Sequence, residues 1–314
     1  MRPARAPKLR PLVRTAAAAA IAAAVAVPLL RRRLRVPAPA TLAAVVAGPL
    51  GLAVLRPRTR GRDAALFALQ MWAFLVAHEL PYDDPDRLRR RLRVSYPIAV
   101  DRLIGAGELP GARLQRALAG RGGASALDRV LSVVHWAWFA EPHAALLYLL
   151  VRRPERFPKA ARQMAAAFDL GCAVYFAVPT APPWWASEHG YAGERLERRM
   201  VVVGEEFWGR AWPALYESLG GNPWAAMPSL HFATSLMAAI HLAESGPAAG
   251  AAGWAYALAL GFALVYLAEH YVADLLAGAA LVAVVRRGEP LAEPAVAAVN
   301  RVLRRLERVA HRTN

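Results

Sequence analysis

Long apolar runs alternate with short charged links along most of the chain. The runs cover residues 15–30 (TAAAAAIAAAVAVPLL), Pro37–Leu55, Ala64–Leu80, Val130–Val151, Gln163–Val178, Ser229–Ala243, Ala251–Ala268 and Tyr271–Val285. Runs this long and this free of charge read as membrane spans or deeply buried helices, not as amphipathic surface helices. They predict an all-α, polytopic membrane helical bundle of about eight spans, six of them in a core over 64–286. Several runs are shorter than the roughly 20 residues a span prefers, so their ends extend into the links. The first run has the look of a signal sequence, but the second follows at once, and the pair predicts an uncleaved hairpin. Three regions result: a basic N-terminal tail with two apolar segments over 1–63, the six-span core over 64–286, and a basic amphipathic tail over 287–314.

Two connections are long. Residues 81–129 mix Arg87, Arg89, Arg90, Arg91 and Arg93 with Leu88, Leu92, Ile98, Leu103 and Ile104, a pattern for helices lying at a membrane surface. Residues 179–226 are rich in Trp and Pro and net acidic. In the C-terminal tail, apolar residues at helical spacing from Val296 to Val309 alternate with Arg301, Arg304, Arg305 and Arg308. That is an amphipathic helix suited to an anionic inner leaflet.

Composition agrees. Of 314 residues, 57% are hydrophobic and 20% charged, too apolar for an ordinary soluble domain. The net charge of +16, from 39 Lys and Arg against 23 Asp and Glu, lies beside the apolar runs. Membrane lipids explain that placement and nucleic acid does not. A single cysteine, Cys172, excludes an internal disulfide framework or cysteine metal site. With the N-terminus inside, the basic links 56–63 and 152–162 and the C-terminal tail fall inside, as the positive-inside rule requires. The arginines at 31–35 run against the rule. Pro179–Trp185, Ser229–His231 and His270–Asp274 then share the outer face.

That coincidence directs attention to chemistry. His270 and Asp274 are four residues apart, which on a helix puts them on one face. A carboxylate there can hold the imidazole Nδ1 proton and leave Nε2 as a nucleophile. His231, from another helix, can protonate a leaving oxygen. Pro228-Ser229 opens the helix of His231, so Ser229 caps an N-terminus able to hold an anion. The plainer alternative is two interfacial histidines, a solvated Asp274 and an ordinary cap.

Pro-Ser-Leu-His at 228–231 and His-Tyr-Val-Ala-Asp at 270–274 resemble the second and third signature motifs of the type 2 phosphatidic acid phosphatase (PAP2) superfamily. Pro179-Thr180-Ala181-Pro182-Pro183-Trp184-Trp185 is similar to a PTAPPW segment of the branch that includes inositol phosphorylceramide synthases and many actinobacterial membrane proteins. The resemblance implies a lipid phosphatase or phosphotransferase without metal or other cofactor, acting on a lipid phosphate at the extracytoplasmic side of the cell membrane. It makes His270 the residue that becomes phosphohistidine, Asp274 its orienting partner, and His231 the general acid and later the base.

The chain departs from the ordinary phosphatase pattern. Residues 179–185 carry no cation, and Leu264 stands where an Arg precedes the third motif. A transferring phosphoryl group still needs positive charge. Arg195, Arg198, Arg199 and Arg210 are the outer-face candidates. Arg198 and Arg199 are favoured because they follow the Trp-rich loop, although a solvated Arg-Glu helix explains any one of them equally well. The phosphate contacts expected are therefore Ser229, Arg198, Arg199 and Tyr271, with Pro182, Pro183, Trp184 and His135 lining the pocket. Glu141-Pro142-His143 falls mid-span, where Pro142 predicts a kink. Its acid and imidazole are either functional or a buried pair. Two other readings compete: a polyprenyl-phosphate-dependent glycosyltransferase using Asp83-Asp84, and a non-enzymatic transporter or assembly factor. For Asp83-Asp84 a turn with a helix cap is the simpler explanation.

Overall fold

The computed structural model describes residues 9–120, 123–212, 214 and 222–311. The outer parts of both tails, and 215–221 of the acidic connection, lie outside the described residues. The described chain is helical throughout, with only isolated bridges of β type. It divides into two compact units, one taking the chain up to Asp83 and from Arg287 on, the other running from Asp84 to Arg286.

The first unit contains α1 (Leu9–Leu34), α2 (Ala38–Leu55) and α3 (Arg60–Glu79). Helix α1 begins at Leu9, inside the segment expected as a tail, and continues through Pro28. At 26 residues, it is long enough to cross a bilayer. Two of the arginines that ran against the charge rule, Arg31 and Arg32, find partners here. Arg31 is buried, with Nε 3.1 Å from Asp83 and Nη2 3.4 Å from Glu79, and Arg32 pairs with Asp83 at 2.9 Å. Neutralisation within the protein removes the penalty that an isolated buried charge would carry. The amphipathic segment near the C-terminus also packs on protein. Leu303 and Ala310 join Val13, Ala17, Val54 and Leu55 in one apolar cluster. Arg62 reaches Glu307 at 2.7 Å.

The second unit begins with three short helices, α4 (Pro85–Arg90), α5 (Ser95–Ile104) and α6 (Pro110–Leu118). Then come α7 (Ala126–Ala137), α8 (Glu141–Arg152), α9 (Phe157–Ala177), α10 (Pro183–Glu188) and α11 (Arg199–Trp208). It closes with α12 (Leu230–Ser245), α13 (Pro247–Tyr266) and the part of α14 (Val272–His311) up to Arg286. Helix α12 packs against α8, α9 and α13, and α13 against α6 and α7. The start of α12 therefore sits among the ends of several helices.

Among the described residues, four helical segments are long and apolar enough to cross a membrane: Leu9–Leu34, Ala38–Leu55, Arg60–Asp83 and Pro247–Tyr266. The run 130–151 is not one kinked span. It breaks at 138–140, and Pro142 lies in the first turn of a new helix, where its missing N–H costs nothing. The Glu141 carboxylate then accepts a hydrogen bond from Ser235 at 3.0 Å, tying α8 to α12.

Candidate active site

Local sequence builds each wall. Ser229 caps α12 by accepting from the Phe232 N–H, which sets His231 in the first turn. On the other side α13 ends at Tyr266, and Ala268 turns the chain with φ +62°. The N–H groups of Glu269 and His270 both donate to the Leu264 carbonyl. The next helix starts only at Val272. His270 and Asp274 are thus not a turn apart within one helix, as their spacing suggested. His270 precedes the helix, and Asp274, in its first turn, reaches back to it.

The result is a chain of hydrogen bonds. His270 Nδ1 is 3.2 Å from Asp274 Oδ2, and His270 Nε2 is 3.1 Å from His231 Nδ1. Oδ2 also accepts the Tyr271 N–H at 2.9 Å. A carboxylate accepting at Nδ1 makes that nitrogen the protonated one, so Nε2 is the lone-pair nitrogen and His231 Nδ1 donates to it. All three side chains lie on protein walls: Asp274 is fully buried and His270 is 4% exposed. The two supporting backbones touch. Ser229 N–H donates to the Asp274 carbonyl at 3.0 Å, and a Cβ on Gly278 would lie 2.7 Å from the Ser229 carbonyl oxygen. Only glycine admits that approach.

The His231 ring is held between neighbours. Trp138 packs at 4.1 Å between centroids and donates its indole N–H to Thr234, while His135 stacks at 5.1 Å. His135 is thus beside the histidine pair, as expected of a pocket residue. The segment 179–182 runs extended between two others, exchanging backbone hydrogen bonds with Arg93 on one side and with Trp224 and Ala226 on the other. Pro182 and Pro183 then start α10, and Trp184 N–H donates to the Ala268 carbonyl at 3.2 Å, beside the His270 loop. Trp185 and Trp224, with Arg89, His189 and Tyr191, line a cavity of about 410 Å³.

The cations expected at the phosphate divide sharply. Arg198 lies over the Trp184 ring at 4.3 Å and forms a bidentate pair with Glu269, 2.7 and 2.8 Å. Glu269 and Arg198 act electrostatically on His135, and Glu269 is within range of His270. Burial works against the charged Glu269, yet Arg198 and the two histidines hold its carboxyl below the ordinary value. Arg199, next in sequence, turns the other way. It is buried against Asp128 (3.1 and 2.7 Å), Glu197 and the Gly123 carbonyl. Tyr266 Oη and Ser125 complete the Asp128 cluster. Arg195 and Arg210 are exposed. The Tyr271 ring is packed in an apolar cluster with Ile98, Leu109 and Leu196, so its backbone N–H, not its ring, serves Asp274.

Two residues assigned no role from the sequence belong to the site's support. Glu269 holds Arg198. Asp101, 1% exposed, accepts from the N–H groups of Val272 and Ala273. Burial raises its carboxyl above the ordinary value, and those two donors pull it part of the way back. Its signal was present in the pattern, since Asp101 shares the buried stripe of α5 with Pro97 and Ile98. Asp83 and Asp84 are engaged elsewhere, the first with Arg31 and Arg32, the second as the cap of α4. Among the described residues no group of three or more His, Cys, Asp or Glu side chains is placed to hold a metal ion.

The fold is that of a helical membrane protein, and hydrogen bonds join His231, His270 and Asp274 in one place. The chain belongs to the PAP2 superfamily, whose family model matches residues 114–286. No curated protein and no solved structure matches the chain. Membership points to phosphatase or phosphotransferase chemistry.

Proposed function

We propose that the protein is an integral-membrane lipid phosphatase or phosphotransferase, acting at the outer membrane face through a phosphohistidine on His270. Its substrate is a phosphate, phosphodiester or diphosphate lipid. The observation that carries this reading is the unbroken hydrogen-bond chain from His231 through His270 to Asp274.

The steps follow from that geometry. Asp274 holds the Nδ1 proton, and His270 Nε2 attacks phosphorus. The phosphoryl group enters where the His231–His270 hydrogen bond now runs, so that contact opens on binding. His231 Nδ1 gives its proton to the departing oxygen. In the second half, water or an alcohol attacks the phosphohistidine and His231 takes the proton back. Arg198 is the candidate phosphate contact, because it borders the His270 loop through Glu269 and Trp184. The glycosyltransferase reading loses support, since Asp83 and Asp84 are occupied by an ion pair and a cap.

The test is release of phosphate from phosphatidic acid or a polyprenyl diphosphate, and of inositol phosphate from phosphatidylinositol, by the purified protein in detergent. His270→Ala and His231→Ala should each abolish it, and the wild type alone should yield a base-stable, acid-labile phosphoprotein. Undiminished release by both variants overturns the proposal.

A further inference from the structure

The mechanism above leaves two neighbouring buried polar side chains of α7 unused. Ser132 and His135 lie one turn apart on α7, on the same face. Ser132 is fully buried and His135 is 5% exposed. Ser132 Oγ and both ring nitrogens of His135 have no hydrogen-bond partner. Each such orphan costs about 1–3 kcal/mol in a folded protein, so three together on one helix face call for a partner from outside the chain. The His135 ring stacks on His231, the residue that handles the proton.

The chemistry of the pair selects the ligand. A serine hydroxyl and an imidazole offer both donors and acceptors, and Ser132 adds no charge. That suits a hydroxyl group, which must donate one hydrogen bond and accept others. It suits a phosphate poorly, since an anion wants donors only. The reaction has a step that needs a seated hydroxyl, namely discharge of the phosphoenzyme.

We propose that Ser132 and His135 form a hydroxyl-binding subsite that seats the oxygen, of water or of an alcohol, that attacks phosphohistidine. In that step an O–P bond forms, the His270 Nε2–P bond breaks with its electron pair returning to nitrogen, and the hydroxyl proton passes to His231. This inference rests on the phosphoryl-transfer reading.

The experiment separates the two half-reactions. Wild type, Ser132→Ala and His135→Phe are given ³²P-labelled phosphatidic acid or a polyprenyl diphosphate, with and without glycerol as probe. Quenching in base preserves the phosphoenzyme. Formation should stay within about twofold of wild type in Ser132→Ala, while discharge slows about tenfold in both variants, the scale of one lost hydrogen bond to a reacting group. Loss of both inorganic phosphate and glycerol phosphate assigns the subsite to any attacking hydroxyl, and loss of glycerol phosphate alone assigns it to an alcohol. Normal discharge in both variants overturns the subsite, as does an equal slowing of formation and discharge. The Ser132→Ala variant removes one oxygen without altering packing, so it decides the matter if His135→Phe fails to fold. A wild type that forms no phosphoenzyme on either lipid overturns the phosphoryl-transfer reading itself, a different result from any of these.

Discussion

The Asp101 carboxylate accepts the backbone N–H of Ala273 at 2.8 Å, and that of Val272 at 3.1 Å through its other oxygen. A residue remote in sequence thus closes the N-terminus of the helix that carries Asp274 and fixes the loop that carries His270. With the Tyr271 N–H taken by Asp274 itself, the first donors of α14 are all engaged. The anion that such helix ends ordinarily attract is here supplied by the protein itself, as Asp101.

Asp101→Ala should therefore reduce kcat while leaving the KM for lipid nearly unchanged. The two stranded N–H groups each cost about 1–3 kcal/mol, part of which appears as a lower melting temperature. Asp101→Asn keeps one acceptor oxygen and should recover part of the rate. Steady-state kinetics of the two variants checks this. A rise in KM at constant kcat would mean instead that Asp101 meets the substrate.

Arg198 and Arg199 are adjacent but should fail differently. Arg198→Ala should lower phosphate release about a hundredfold, the scale of a lost charge-stabilising donor, and should also lower the melting temperature because it strands the buried Glu269. Arg199→Ala leaves Asp128 buried without its counter-ion and should cost about 3–5 kcal/mol of stability. Activity and thermal melts on both variants, side by side, distinguish the roles. Wild-type phosphate release in Arg198→Ala would contradict the assignment.

Gly278→Val tests the close approach of α12 and α14. Its added side chain meets the Ser229 carbonyl and must push the two helices apart. Since misplacement of about 1 Å can cost a hundredfold in rate, activity should collapse by roughly that factor. Circular dichroism should show the helices intact. Wild-type activity in this variant would show that the histidine pair tolerates the displacement.

Acid should weaken the fold through Asp128. Burial opposes its charge, but Arg199, Ser125 and Tyr266 hold its pKa well below the ordinary value. A carboxyl depressed in the folded state stabilises the protein above its unfolded pKa, about 4, and loses that contribution as pH falls below it. Melting temperatures measured from neutral pH down to about pH 3 should fall more steeply for wild type than for Asp128→Asn, which starts lower. Parallel curves would remove Asp128 from the account.

The all-helical character of the chain and its superfamily were legible in the linear pattern, which predicted about eight spans; among the described residues four helical segments are long and apolar enough to cross a membrane. Apolar runs can satisfy their backbone only as helices, and the Pro-Ser-Leu-His and His-Tyr-Val-Ala-Asp motifs are local. The pairing of His270 with Asp274 was also local, although their shared helix was not real, because the turn at Ala268 delays the helix to Val272. What tertiary structure alone decided is everything that depends on contacts across long separations. Arg198 and Arg199 look alike in sequence, yet one faces Glu269 and the other Asp128, since consecutive side chains at the start of α11 point in different directions. Asp101 becomes a support of the site only because α5 folds against the start of α14. No periodicity reports such pairings, because they are set by which helix ends meet and not by the composition of either.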